Sequence, residues 1–229
     1  MIGITFALPS ESNDFVRRLQ QVENVDGLLW GKIGDREVTI VHTGVGSTNC
    51  NDRLEILLHK ARPEFVITSG FAGAVSERLH IGELILAENF SDPTLLGLAV
   101  EILRDRNART VKLFTSTTVI DSISERNVIA RDSGAAAVDM ETGAIVAICK
   151  AHGMPLLSLR AITDTPNDPF PAPPDVLFDL ERQRTSYGRL FAYLLRHPGS
   201  IPKLTRFSKR IAQVRATLAD ALIDLIRGL

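Results

Sequence analysis

The 229-residue sequence predicts an α/β fold with a mixed central sheet. Two observations lead to this prediction. Short β-rich runs alternate with helical patterns as far as about residue 163, which is the order that βαβ units produce. Two of these runs, FVITS at residues 65–69 and LLSLRAI at residues 156–162, are mainly apolar along their length, which is typical of strands in a sheet covered on both faces.

Local signals support each element in turn. A Gly-Asp pair at residues 34–35 favours a hairpin turn, leucines at helical spacing indicate a helix, and a glycine followed by a proline marks a helix end. In chain order, strands are predicted at 2–7, 28–33, 37–42, 65–69, 83–88, 111–116, 135–138 and 156–162, helices at 47–61, 122–132 and 141–152, and a glycine-rich turn at 70–74.

The C-terminal quarter of the chain differs from the rest. Residues 165–177 contain five prolines and predict a surface loop, and residues 178–229 are predicted to be helical throughout, with a break at His197-Pro198-Gly199. Residues 182–215 hold nine Lys or Arg and no Asp or Glu. Two interpretations stay open: a docked helical pair with a solvated basic face, or a helical pair lying on an anionic membrane surface.

Composition limits the classes of protein. The formal net charge is −1 and 45% of residues are hydrophobic, which excludes a disordered chain and gives no support for a nucleic-acid partner. Cys50 and Cys149 are expected to be buried free thiols, and the five histidines show no metal-ligand spacing. No apolar run reaches the ~18 residues of a membrane span, and the N-terminus lacks the basic region of a signal peptide. We therefore expect a cytoplasmic protein that has peripheral contact with the inner membrane face if the basic tail binds there.

Polar residues follow several predicted strands, where ligands bind in open α/β sheets. Carboxylates occur there at Glu11, Asp139, Glu141 and Asp164, with hydroxyls and glycine-rich backbone nearby. Such groups suit a ligand with sugar hydroxyls and general acid–base chemistry. Each also has a structural alternative, because Glu11 and Glu141 fit the first turn of a helix and Asp164 fits a turn or helix cap. The Thr-Gly-Val-Gly segment at residues 43–46 is weak evidence for nucleotide binding and also fits a simple strand-to-helix turn.

Two segments carry a resemblance to a known family. They are SGFAGAVSERLHIGELILAE, which begins at Ser69, and VDMETGAIVAICKAHGMPLLSLRAITD, which ends at Asp164. In order and spacing they resemble the purine nucleoside phosphorylase/nucleosidase superfamily, and within it the 5′-methylthioadenosine/S-adenosylhomocysteine nucleosidases. The resemblance implies a three-layer phosphorylase/hydrolase-like catalytic domain over residues 1–177, with residues 178–229 as a basic helical extension packed on or beside it.

The resemblance also implies a role for each candidate residue. Asp164 would act as the acid at N7 of a purine leaving group, and Glu11 would activate the attacking water. The other site residues would be Asp139, Met140 and Glu141 at the ribose, Thr43, Gly44, Ser69, Gly70, Phe71, Ala72 and Gly73 on the side of the nucleophile or phosphate, and Val119, Ile120 and Thr163 at the base. Arg160 would be structural. No metal or cofactor is implied, and a homo-oligomer is expected.

The chemistry supports these implied roles. Breaking an N-glycosidic bond builds positive charge on the ribose and sends negative charge to the base, so an acid near N7 and carboxylates near the sugar lower the barrier. An acid and a base on opposite sides of the bond are what cleavage by water requires. For Asp164 to act as an acid near neutral pH, burial must raise its pKa.

Departures from the family pattern keep the exact reaction and substrate open. Thr68 stands where bacterial phosphorylases carry a phosphate-binding arginine, and Phe71 replaces a phosphate-contacting serine, so hydrolysis is favoured over phosphorolysis. Asp139 is shorter than the glutamate usual in the nucleosidases. No aromatic occurs at residues 119–120, so stacking on the base should be either weaker or supplied by another segment, such as Phe170.

The segment between the strands at 83–88 and 111–116 is shorter than in the nucleosidases, where it helps to form the base and 5′ pockets, so the substrate specificity stays open. Residues 197–204 resemble the tails of hopanoid-associated members of the superfamily, which implies a lipid-linked adenosyl substrate. A non-catalytic nucleoside-binding or membrane-docking module is the alternative from another class of protein. The three carboxylates at Glu11, Glu141 and Asp164 argue against it, because a binding module does not need an acid–base pair.

Overall fold

The computed structural model describes residues 1–45, 47–170, 178–179, 184–185 and 197–229. These residues form a ten-stranded mixed sheet and six α-helices. The strands of the sheet are β1 (Ile2–Phe6), β2 (Gln20–Val25), β3 (Leu28–Ile33), β4 (Arg36–His42), β5 (Phe65–Ala74), β6 (Leu84–Ala87), β7 (Arg109–Val111), β8 (Leu113–Thr115), β9 (Ala137–Asp139) and β10 (Leu156–Asp164). The helices are α1 (Pro9–Val16), α2 (Ser47–Ala61), α3 (Pro93–Ile102), α4 (Ile123–Ser133), α5 (Thr142–Ala151) and α6 (Ile201–Gly228). A separate two-stranded pair is formed by β11 (Phe178–Asp179) and β12 (Arg184–Thr185).

The strand order brings the ends of three central strands together. Neighbouring strands of the sheet follow the order β2-β3-β4-β1-β5-β10-β6-β7. In addition, β9 pairs with β5, and β8 pairs with β9. Strands β4, β1, β5 and β10 are parallel to one another, whereas β6 runs antiparallel to β10. The carboxyl ends of β1, β5 and β10 therefore lie at the same edge, where α/β sheets bind ligands.

Helices cover both faces of the sheet. One face packs on α1, α3 and α6 in a cluster that includes Ile4, Phe6 and Leu159. The other face packs on α2 and α5 in a cluster that includes Leu54 and Ile145. This arrangement confirms the expected three-layer α/β fold with a mixed central sheet.

Helix α6 belongs to the same core as the sheet. Its C-terminal half buries Leu222, Leu225 and Ile226 completely in the cluster that also holds side chains of β1, β4 and β10. Arg215 Nε donates to Asp14 Oδ2 of α1 at 2.8 Å, which ties the middle of α6 to the body. In the described part of the chain no helix combines the length and the apolar character that crossing a membrane requires. The division at residue 177 stays a prediction, because residues on both sides of it lie outside the described ranges.

Several predicted elements need correction. The glycine-rich turn predicted at residues 70–74 is wrong, because β5 continues through it to Ala74 and keeps pairing with β10 as far as Gly73. The strand predicted at 111–116 is two strands with different partners, β7 on β6 and β8 on β9. The exposed strand β2 and helix α3 were not predicted.

The prediction that residues 178–229 are helical throughout is wrong at β11 and β12, although the helix after the break at His197-Pro198-Gly199 is present as α6. The proline-rich loop predicted at 165–177 is described only to residue 170, where Thr165 and Asp168 form a bridge. Its remainder lies outside the described residues.

Candidate active site

A cavity of about 630 Å³ opens at the carboxyl ends of β1, β5 and β10. Eleven of the predicted site residues line it: Glu11, Phe71, Ala72, Gly73, Val119, Ile120, Asp139, Met140, Glu141, Thr163 and Asp164. The other four, Thr43, Gly44, Ser69 and Gly70, are not among the lining residues. The fold thus brings most of the candidates together from five separate segments of the chain.

Glu11 lies in the first turn of α1 and also lines the cavity. Its Oε2 accepts a hydrogen bond from the Leu8 backbone N–H at 3.1 Å, and its Oε1 accepts one from the Phe71 N–H at 3.3 Å. Burial raises the pKa of Glu11, although these N–H groups and the Arg160 charge oppose the rise. The carboxylate therefore caps the helix and at the same time holds a position at the cavity wall.

Gly70 explains how the Glu11 carboxylate fits beside β5. A Cβ atom at this position would lie 3.3 Å from each carboxylate oxygen of Glu11, and the backbone has a φ of +155°. Although Gly70 is not a lining residue, its lack of a side chain leaves room for one that is. The glycine therefore permits a close approach between β5 and the Glu11 side chain.

Asp164 ends β10 and is 2% exposed. Its Oδ1 accepts a hydrogen bond from Thr163 Oγ1 at 2.9 Å, and its Oδ2 accepts one from Arg126 Nη2. Burial raises the pKa of Asp164 and outweighs the opposing effect of the Arg126 guanidinium. The rise is in the direction that an acid working near neutral pH requires.

Arg126 on α4 is one component of the site that sequence reasoning missed. It is 0% exposed, and besides Asp164 it contacts backbone oxygens, with Nη1 donating to Ala74 at 2.5 Å and Nη2 to Ile120 at 3.1 Å. The segment SERNVIARD around it is polar, so nothing in the local pattern separates this arginine from a solvated one. Only the tertiary fold turns it inward.

Asp139 lines the cavity, but structural hydrogen bonds occupy its carboxylate. Oδ1 accepts from Thr115 Oγ1 at 2.9 Å, and Oδ2 accepts from Arg160 Nε at 3.1 Å and from the Thr142 hydroxyl. Arg160 Nη2 also donates to Thr68 Oγ1 at 2.9 Å. Thr68, which stands in the place of the phosphorylase arginine, is therefore engaged within the sheet and does not line the cavity.

The segment at Thr43 and Gly44 acts as a strand-to-helix turn in this structure. The Thr43 N–H donates to Phe6 O and the Gly44 N–H to Ala7 O, both at 2.9 Å, and Gly44 has a φ of +80°. These bonds hold the turn against the end of β1, and Val45 beyond it reaches the cavity. Ser69 is buried, and its hydroxyl has no hydrogen-bond partner among the described residues.

Helix α6 and the loop after β10 form an apolar wall of the cavity. Its members are Phe170, Leu204, Phe207 and Ile211. The rings of Phe170 and Phe207 meet edge to face with centroids 5.9 Å apart. Phe170 is thus an aromatic residue of the cavity, and its stacking on a base stays a prediction, whereas the α6 residues were missed. Their spacing of three and four residues within a basic segment was the available signal.

The ion pair between Arg210 and Asp168 holds α6 against the loop after β10. The Arg210 guanidinium also lies 5.6 Å from the Phe207 ring centroid. At the other end of the wall Arg215 lines the cavity, and its charge is paired with Asp14. Within the described ranges, no group of three or more His, Cys, Asp or Glu side chains is placed to hold a metal ion.

The fold and this cavity define a three-layer α/β protein with buried carboxylates at the carboxyl edge of its sheet. A family model described as the phosphorylase superfamily matches residues 1–92 and 88–196, and the chain belongs to that superfamily. The family resemblance carried by the two sequence segments is confirmed, as is the prediction of an enzyme.

Named relatives fall in the nucleosidase branch. A 5′-methylthioadenosine/S-adenosylhomocysteine nucleosidase of Staphylococcus epidermidis is 26% identical over 199 residues, covering 73% of this chain and 87% of that protein. The structure of the corresponding Campylobacter jejuni nucleosidase has a TM-score of 0.76 at 17% identity and covers 100% of this chain and 99% of its own. Futalosine hydrolase of Helicobacter pylori has a TM-score of 0.74 at 17% identity, covering 100% and 97%. The two solved structures show that the fold is shared.

Proposed function

We propose that the protein hydrolyses the N-glycosidic bond of a purine nucleoside, one that is adenosine-like and substituted at the 5′ carbon. The observation that carries the proposal is the placement of two carboxylates, the half-buried Glu11 and the buried Asp164, in one cavity. Each lies beside a glycine of β5, Gly70 for Glu11 and Gly73 for Asp164. Three residues of a strand span roughly 10 Å, so the two carboxylates meet β5 at different points along its length.

Asp164 would be the acid of this reaction. A purine that leaves without a proton carries negative charge away, so protonation at N7 lowers the barrier. Its raised pKa favours the neutral, proton-carrying form. Val119, Ile120 and Thr163 border the cavity near this carboxyl and would surround the base, with Phe170 as an aromatic neighbour.

Glu11 would be the base that activates water. Its raised pKa makes it a better proton acceptor than an exposed glutamate, and its two backbone hydrogen bonds fix its orientation. Met140 and Glu141, at the start of α5, would bind the ribose hydroxyls. In this assignment Asp139 supports the wall, because Arg160, Thr115 and Thr142 already occupy its oxygens.

Hydrolysis is favoured over phosphorolysis by the charges at the cavity. A phosphorylase must hold a phosphate dianion, for which arginines that make paired hydrogen bonds are suited. Arg215 is the one cation among the described lining residues, and Asp14 neutralises it. Phosphorolysis remains the alternative within the family and predicts ribose 1-phosphate as a product.

The apolar wall supports a nucleoside with an apolar 5′ substituent. Leu204, Phe207 and Ile211 offer methyl groups and a ring to whatever extends beyond the sugar. The resemblance of residues 197–204 to hopanoid-associated members points to a lipid-linked adenosyl substrate of this kind. A homo-oligomer also stays a prediction from the family resemblance.

Product analysis tests the reaction directly. The protein would be incubated with adenosine, 5′-methylthioadenosine and inosine, with and without inorganic phosphate. Free base formed without phosphate supports hydrolysis, whereas ribose 1-phosphate formed only with phosphate would overturn it. The matched variant Asp164→Asn should lose turnover but keep nucleoside affinity. An Asp164→Asn protein that remains active would refute the assignment of the acid.

We also propose that α6 makes a peripheral membrane contact. Lys203, Arg206 and Lys209 are exposed at three-residue spacing beside the apolar wall, and none has an ion-pair partner among the described residues. Each such cation contributes about 1 kcal/mol at an anionic bilayer. Co-sedimentation with phosphatidylglycerol-containing vesicles should be lost when all three become Glu. Equal sedimentation of the parent and triple variant would exclude this surface as the contact.

A further inference from the structure

Arg126 forms a buried ion pair with Asp164, and the reaction proposed above gives this ion pair no role. Arg126 lies on α4 and is not a lining residue of the cavity, yet its Nη2 donates a hydrogen bond to Oδ2 of Asp164, the proposed acid. A fully buried guanidinium is costly unless it is paired and hydrogen-bonded. Here it is held at three places: by Asp164 Oδ2, by the Ala74 backbone oxygen at the end of β5, and by the Ile120 backbone oxygen. Its position is therefore set by the framework of the site.

The two oxygens of Asp164 consequently differ. Arginine does not lose its proton in proteins, so Oδ2 always faces an N–H donor and serves as an acceptor. Oδ1 faces the Thr163 hydroxyl at 2.9 Å, which can either donate or accept. When Asp164 is protonated, its proton can therefore sit on Oδ1, where the Thr163 hydroxyl can accept it, but not on Oδ2, where it would face the N–H of Arg126.

We propose that Arg126 is a positioning residue that fixes the Asp164 carboxyl so that Oδ1 carries the proton passed to the leaving base. The proposal rests on the function proposed above. In the transfer, the O–H bond at Oδ1 breaks as the N–H bond at N7 forms. The glycosidic electron pair stays with the base, and the resulting carboxylate is stabilised in place by Arg126. Arg126 acts through Asp164 and touches no substrate.

The charge of Arg126 makes this role measurable, because it affects the pKa of Asp164 and so the pH dependence of the rate. The charged groups that act on Asp164 are the Arg126 guanidinium on α4, which lowers its pKa, and Asp121 in the segment before α4, which raises it. Glu11 and Glu141 line the same cavity. Activity that needs protonated Asp164 is lost as pH rises through its pKa. Removing the Arg126 charge should raise that pKa, so the alkaline limb of the rate profile should move to higher pH.

The test compares two variants over a range of pH, with release of free base from 5′-methylthioadenosine as the readout. Arg126→Gln removes the charge: kcat should fall roughly tenfold or more through lost positioning, and the alkaline limb of kcat/KM should move to higher pH. Arg126→Lys keeps the charge without the planar fork, so kcat should fall while the limb stays near its original pH. Arg131→Gln is the matched control, because Arg131 lies on the same helix, is exposed and pairs with Asp132.

The outcomes separate the possible failures. An Arg126→Gln enzyme with lower kcat and an unmoved limb would refute the proposal and leave Arg126 with a purely structural role. If that variant does not fold, an Arg126→Lys enzyme with unchanged kcat refutes it, and one with lower kcat and an unmoved limb supports it. An active Asp164→Asn enzyme would instead overturn the proposed function, whatever the Arg126 variants do.

Discussion

Gly73→Ala is a small substitution that should disable the site without unfolding the protein. A Cβ at Gly73 would lie 2.9 Å from Asp164 Oδ2, 3.3 Å from Oδ1 and 3.4 Å from Arg126 Nη1. The first distance is shorter than Cβ atoms in real proteins tolerate. The carboxyl cannot swing freely away, because Arg126 and Thr163 hold its two oxygens. The contact must be relieved by shifting the acid a few tenths of an ångström.

The size of the effect follows from that shift. A displacement of about 1 Å at a reacting group costs about a hundredfold in rate, so a shift of about 0.3–0.5 Å should lower kcat by roughly four- to tenfold. The assay is release of free base, followed at saturating 5′-methylthioadenosine. Gly97→Ala is the control: this glycine lies in α3 with nothing within 4 Å of an added Cβ. It should keep full activity and stabilise the fold by about 0.5–1 kcal/mol. A Gly73→Ala enzyme within twofold of wild-type kcat would refute the claim that Asp164 is held in place.

Three further changes test other parts of the site. Glu11→Gln should lower the hydrolysis rate by about 10²–10⁴, as expected for loss of a general base. The Tm of this variant relative to the parent protein should be higher at pH 7 than at pH 4, because the raised pKa of Glu11 makes only its ionised form costly in the folded state. Thermal unfolding of both proteins at the two pH values measures that difference. Leu222→Ala should destabilise the fold by about 2–5 kcal/mol in urea unfolding, since Leu222 is fully buried in the shared core; a loss below about 1 kcal/mol would contradict its place there. Phe207→Ala should raise KM for 5′-methylthioadenosine more than for adenosine, and equal changes would argue against the apolar wall as the 5′ pocket.

The elements predicted well from the sequence are those with local signals. Helices α2 and α5 and the β3–β4 hairpin are present almost as predicted, because their ends are marked by a cap, a glycine or leucines at helical spacing. Strand β5 was cut short because GFAGA has the composition of a turn. Its extension depends on pairing with β10, a partner about ninety residues away in the chain. Exposed β2 lacks the alternating apolar pattern from which strands are recognised.

The candidate site likewise contains residues that could be predicted from the sequence and residues that could not. Residues on the carboxyl ends of strands could be anticipated, because topology places those ends together, and the family motifs named Glu11 and Asp164. Arg126 could not, since it reaches Asp164 through packing between elements distant in sequence. For α6 the spacing of Leu204, Phe207 and Ile211 indicated one apolar helix face, but only the tertiary fold places that face at the cavity. For Asp139 the motif was visible, but the hydrogen bonds that occupy both its oxygens depend on Arg160, Thr115 and Thr142 together.

The position of α6 in the core decides how its basic character can be tested. Five cations lie between residues 201 and 215, and two of them, Arg210 and Arg215, pair with acids of the body. The two interpretations of the basic segment, docking on the body and contact with a membrane, are therefore compatible. One face of α6 can pack on the body while the opposite face contacts a membrane. Deleting α6 could not distinguish them, since the deletion also removes core residues such as Leu222 and should unfold the protein whether or not a membrane is bound. Charge substitution at the exposed cations leaves the core intact, so only that experiment isolates the outward face.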